Sequence, residues 1–143
     1  MGERLEFYLS FPGTAAQAAE LYSKVFGQEI EMMRFGDFPP SGDMGNVDPD
    51  WIGHAQLVFE NATMMFSDDP SGQASPANNF SVSWATTDEA RLREVWQRFV
   101  DGGAKVSDEL APTFWAKLYG NLTDPFGVSW LLMYSDDNFE MPG

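Results

Sequence analysis

The sequence predicts an α+β protein made of two tandem βαβββ modules. Three observations carry this. Short segments alternate apolar and polar residues with the period of a strand. Two amphipathic helical segments, each closed by glycine, recur in matching places. Leu21-Tyr22-x-x-Val25-Phe26-Gly27 answers Val95-Trp96-x-x-Phe99-Val100-x-Gly102, and strands follow in the same order each time. Finally, Thr113 to Tyr134 reads as an aromatic-rich hairpin around Asp124-Pro125-Phe126-Gly127, where proline presets φ and glycine tolerates a positive one.

In chain order, Leu5, Phe7, Leu9 and Phe11 alternate with Glu6, Tyr8 and Ser10 in a first strand. Pro12-Gly13 ends it, and Thr14 with Gln17 has the pattern of a capping box opening a helix. Ala15, Ala18, Ala19, Tyr22, Val25 and Phe26 form its apolar stripe, and Gly27 its C-cap. A second strand is expected from Glu29 to Phe35. Residues 36–50, rich in Pro and Gly, read as a long loop, either a lid or binding loop or a disordered one. Trp51 to Glu60 is a third strand and Thr63 to Ser67 a fourth. The pattern then restarts with Phe80, Val82 and Trp84. Thr87, followed by Asp88 and Glu89, is expected to cap the second helix. Leu92, Val95, Trp96, Phe99 and Val100 stripe it, and Gly102-Gly103 stops it. Ala104 to Glu109 is a short strand before the hairpin. The expected organisation is one domain over residues 1–143: module 1 about 4–67, a linker 68–78, module 2 about 79–135 and a tail 136–143.

The 143 residues suit one compact domain or two small fused units. Their 43% hydrophobic and 15% aromatic content is enough for a packed core and argues against disorder. A net charge of −14 speaks against nucleic-acid and anionic-membrane partners, which need a basic footprint. With no cysteine, disulfides, thiolate metal sites and a cysteine nucleophile are excluded. No apolar run approaches a membrane span, and no signal-peptide layout is seen, so a cytoplasmic protein is expected.

One helix cannot cover both faces of a four-stranded sheet. The helix-facing sets are expected to be Leu5/Phe7/Leu9/Phe11, Gly53/Ala55/Leu57/Phe59, Phe80/Val82/Trp84 and Val128/Trp130/Leu132. The opposite sets are Glu6/Tyr8/Ser10, Ile52/His54/Gln56/Val58, Ser81/Ser83, Trp115/Lys117/Tyr119 and Ser129/Leu131/Met133. Mixed polar and aromatic lining of this kind suits a small-molecule cavity. The expected ligand-binding residues are Tyr8, Gln56, Trp115, Lys117 and Tyr119. An aromatic wall beside a cation favours a planar or anionic ligand. Lys117 reads either as a solvated lysine or as a cation on the cavity wall. His54, the only histidine, reads either as structural or as a catalytic acid/base or hydrogen-bond donor.

Several motifs in sequence order carry a resemblance. They are Tyr8-Leu9-Ser10-Phe11, the helix end Tyr22-Ser23-Lys24-Val25-Phe26-Gly27, Gly53-His54-Ala55, Met65-Phe66-Ser67-Asp68, Thr113-Phe114-Trp115, and Thr123-Asp124-Pro125-Phe126-Gly127-Val128-x-Trp130. Together they resemble the PhnB-like branch of the vicinal oxygen chelate superfamily, which includes glyoxalase I, bleomycin-resistance proteins and extradiol dioxygenases. The resemblance covers about residues 5 to 134. It implies two βαβββ modules forming a cupped, mostly antiparallel sheet, usually in a homodimer. It also implies a divalent metal held by His, Gln or Glu on the inner faces, acting as a Lewis acid. The matching positions fall at Glu6 or Phe7, at Asn79 or Phe80, and at Leu131 in place of the usual glutamate. Only Glu6 and His54 remain as weak metal candidates, so no resident cofactor is expected. Proteins of this branch are sometimes labelled demethylubiquinone methyltransferases, but no Gly-rich nucleotide or methyl-donor loop follows a strand here. The expected function is binding of a small planar or anionic molecule without metal. The alternative is a metal-dependent lyase, isomerase or dioxygenase with altered ligands.

Overall fold

A computed structural model describes residues 3, 5–38, 47–75 and 79–136. The chain divides into two compact units, Met1–Ser75 and Pro76–Gly143. The first contains β1 (Phe7–Phe11), α1 (Ala15–Phe26), β2 (Met32–Arg34), a 3-10 turn (Phe35–Asp37), β3 (Ile52–Val58) and β4 (Thr63–Asp68). The second contains β5 (Val82–Thr86), α2 (Glu89–Asp101), β6 (Lys105–Ala111), β7 (Leu118–Thr123) and β8 (Ser129–Tyr134). The sheets run β1-β4-β3-β2 and β5-β8-β7-β6. In each, the first and last strands of the unit pair in parallel, and the other pairs are antiparallel. Identical strand order around one helix is the predicted βαβββ module, made twice.

In the first unit, Leu9, Phe11, Ala55, Leu57, Met64 and Phe66 are buried on the helix side. They meet the buried stripe of α1. The Phe66 ring meets Phe11 and Tyr22 edge-on, with centroids 5.9 and 5.8 Å apart. Gly27 closes α1 at φ 68°, a left-handed conformation that glycine adopts without steric cost. The start of α1 differs from expectation. Thr14 makes no side-chain capping bond. The buried carboxylate of Asp68, at the end of β4, does that work: Oδ1 accepts from the Gly13 and Ala15 N–H groups and Oδ2 from Ile52 N–H.

Two further expectations are corrected in this unit. Ile52 is fully buried rather than on the open face. The β2–β3 register slips by one residue between Met33↔His54 and Arg34↔Ile52, which flips the phase at Gly53. Leu5, placed on the helix side by alternation, precedes β1 and is exposed, and Phe7 is about half exposed. β2 is shorter than expected because Phe35 turns into the 3-10 segment. The centre of the predicted loop, residues 39–46, lies outside the described residues, and with it the lid reading. The same holds for residues 76–78 and for 137–143 of the expected tail.

In the second unit, Leu92, Val95, Trp96 and Phe99 of α2 pack on Leu122, Trp130 and Leu132. Phe99 and Trp130 are 5.1 Å apart between ring centroids. Asp88, not Thr87, caps α2, its carboxylate accepting from Ala90 and Arg91 N–H. Phe80, expected in a strand facing the helix, lies before β5 and is exposed. The β7–β8 turn forms as predicted: Gly127 sits at φ 90° and donates to the Asp124 carbonyl.

Candidate functional site

The open face of the first unit gathers three of the predicted residues. Tyr8 on β1, Met65 on β4 and Gln56 on β3 stand in one cross-strand row. His54, two residues before Gln56, is on the same face and pairs with Met33 of β2. The Tyr8 hydroxyl donates to Ser67 Oγ at 2.9 Å. His54 Nε2 lies 3.2 Å from Gln56 Oε1. The Tyr8 and His54 rings are tilted, with centroids 6.5 Å apart. When Nε2–H donates to the Gln56 carbonyl oxygen, the neutral ring keeps its lone pair on Nδ1. Glu6 lies just before β1 and is half-buried. This surface can donate and accept hydrogen bonds and hold a proton.

The open face of the second unit gathers the others, with one correction. Tyr119 lies on β7, but Trp115 and Lys117 precede that strand. Thr113 diverts the chain there: its Oγ1 accepts from the N–H groups of Trp115 and Ala116, and its own N–H donates to the Ala116 carbonyl. This local side-chain bonding competes with strand formation. Trp115 still meets Tyr119 edge-on at 5.3 Å, and Phe114 meets Trp115 at 4.8 Å. Residues 112–117 with Ser135 and Asp136 line an open concavity of about 560 Å³. Lys117 Nζ is 3.0 Å from Asp136 Oδ1, in a pair more than half exposed. The hydrogen bond to Asp136 and its charge hold the ammonium above its ordinary pKa. Lys117 therefore reaches the concavity with its charge already met.

Two residues on this face were missed by sequence reasoning. Asn121 Nδ2 donates to Asp108 Oδ2 at 2.6 Å and to the Tyr119 hydroxyl oxygen at 3.4 Å. Asn121 was legible in principle, because it shares the phase of Tyr119 on β7. Asp108 was not, because the β6–β7 register shifts on both sides of it.

The metal site implied by the resemblance does not fit these residues. Leu131 stands between Ser83 and Asn121 in a cross-strand row of the open face, where a carboxylate arm is needed, and offers no lone pair. Asn79 and Phe80 are exposed and precede β5. Among the described residues no three His, Asp or Glu side chains converge on a point that could hold a metal ion. Also among them, no helix is long and apolar enough to cross a membrane.

Comparison with known proteins places this geometry. Residues 4–132 match the sequence model of the Glyoxalase/Bleomycin resistance protein/Dioxygenase superfamily. Protein YjdN of Escherichia coli K12 is 33% identical over 137 residues, covering 87% of this chain and 90% of that protein. The crystal structure of protein PA1353 from Pseudomonas aeruginosa has a TM-score of 0.79 at 31% identity, covering 95% of this chain and 100% of that one. A PhnB protein from Bacillus cereus shares the fold at a TM-score of 0.68 and 22% identity, covering 93% and 100%. With the module topology repeated in both units and the match running almost end to end, the chain belongs to the glyoxalase/bleomycin resistance protein/dioxygenase superfamily.

Proposed function

We propose that the protein binds a small planar molecule on the aromatic surface of its second unit. One observation carries this reading: Phe114, Trp115 and Tyr119 touch edge-to-face beside a concavity, with Phe114 86% exposed. An exposed phenylalanine beside two further rings is ready to cover apolar ligand surface. Of the two ligand types expected from sequence, the planar one is favoured over the anionic one. Lys117 is paired with Asp136, and the chain carries a net charge of −14, which repels anions. A cytoplasmic setting is part of the same proposal. Tryptophan fluorescence titration with 2-naphthol tests it. Saturable quenching is expected, weakened about tenfold by Trp115→Ala. Quenching unchanged in that variant would reject the site.

A second reading is an acid/base enzyme using the first unit. Gln56 orients the His54 ring, and Tyr8 stands beside it with its hydroxyl held by Ser67. It is less favoured because the rings and the concavity of the second unit offer a ligand more apolar surface.

A further inference from the structure

We infer that the planar ligand of the second unit is a cation, recognised by the Asp108 carboxylate at the edge of the aromatic surface. The inference rests on the aromatic site proposed above and adds the charge of its occupant. Four side chains run in unbroken contact from ring to carboxylate. Trp115 touches Tyr119, the Tyr119 hydroxyl receives the Asn121 amide, and the same amide donates to Asp108 Oδ2. The Asn121 bonds orient both acceptors, and the carboxylate's other oxygen remains able to accept from an ammonium or amidinium. A positive charge over or beside Trp115 and Tyr119 is also attracted by their ring faces. The nearby cation has its own partner: Lys117 is paired with Asp136. The net charge of −14 attracts cations and repels anions at longer range.

The test uses the full chain and three naphthalene probes of matched shape: 1-naphthylmethylammonium, 1-naphthylmethanol and 1-naphthoate. Binding is read by calorimetry and by Trp fluorescence. The ammonium is expected to bind about fivefold tighter than the alcohol, and the carboxylate weakest. Asp108→Asn, which keeps the shape and a carbonyl acceptor for Asn121, is expected to erase the ammonium's advantage. It should leave the alcohol's affinity within about twofold. Unchanged circular dichroism establishes that the variant is folded. If all three probes bind equally through Trp115, or if Asp108→Asn leaves the ammonium preference intact, the charge assignment falls while the aromatic site stands. If no probe binds and Trp115→Ala changes nothing, the aromatic site falls and the inference goes with it.

Discussion

Two buried carboxylates show how much one residue can organise. Asp124 is 3% exposed and accepts three hydrogen bonds. Oδ1 takes the N–H groups of Phe126 and Val128, and Oδ2 takes the indole N–H of Trp130. One side chain thus ties the hairpin turn to the fully buried Trp130 ring of the second core. Asp68 does the same for the first unit, joining the start of α1 to β3. Sequence reasoning valued Asp124 for the turn but read Asp68 only as the end of a motif and the start of the linker, because its three partners lie 16 to 55 residues away. Asp124→Ala is expected to cost about 3 kcal/mol in urea unfolding, since three donors lose a charged acceptor away from water. Asp124→Asn should cost less, because it keeps one carbonyl oxygen. Equal, small losses in both variants would show that water replaces the carboxylate.

Strand alternation was readable at the level of elements because each sheet has a helix on one side only. The phase of Tyr8, His54 and Gln56 came out correctly for that reason. It failed where pairing is not regular. The slip at Gly53 buries Ile52, the shifts around Asp108 hide a carboxylate, and the Thr113 hydroxyl turns Trp115 out of the strand. Each of these depends on a partner strand or on a side-chain bond, and neither has a signature in hydrophobic periodicity. Helix-on-sheet packing makes its own demand at Gly120. A Cβ there would stand 2.7 Å from the Trp96 ring and 2.9 Å from the Asp108 carbonyl oxygen. The backbone oxygen belongs to a paired strand and cannot swing away. Gly120→Ala is expected to destabilise the second unit by about 2 kcal/mol, with weaker near-ultraviolet dichroism from displaced Trp96. A variant as stable as the parent would mean that α2 rides on the sheet with slack.

Across the whole chain the fold is kept and the expected metal-binding set is not. Both units repeat the strand order of the superfamily, and the match spans residues 4–132. Yet the positions that the resemblance assigns to metal ligands in the second unit hold no side chain suited to a transition metal. Leu131 is apolar, and Asn79 and Phe80 are exposed and precede β5. A transition metal held firmly against buffer needs three or four donors at about 2 Å, from imidazole, carboxylate or thiolate. The chain has one histidine and no cysteine, so its carboxylates would have to supply most of that set. None of the described carboxylates converges in the needed number. The purified protein, dialysed against metal-free buffer, is therefore expected to hold well under one equivalent of zinc, iron, nickel or manganese by elemental analysis. About one equivalent per chain would overturn this. It would point to a ligand set that departs from the superfamily's positions, and would raise the metal-dependent enzyme above the binding protein.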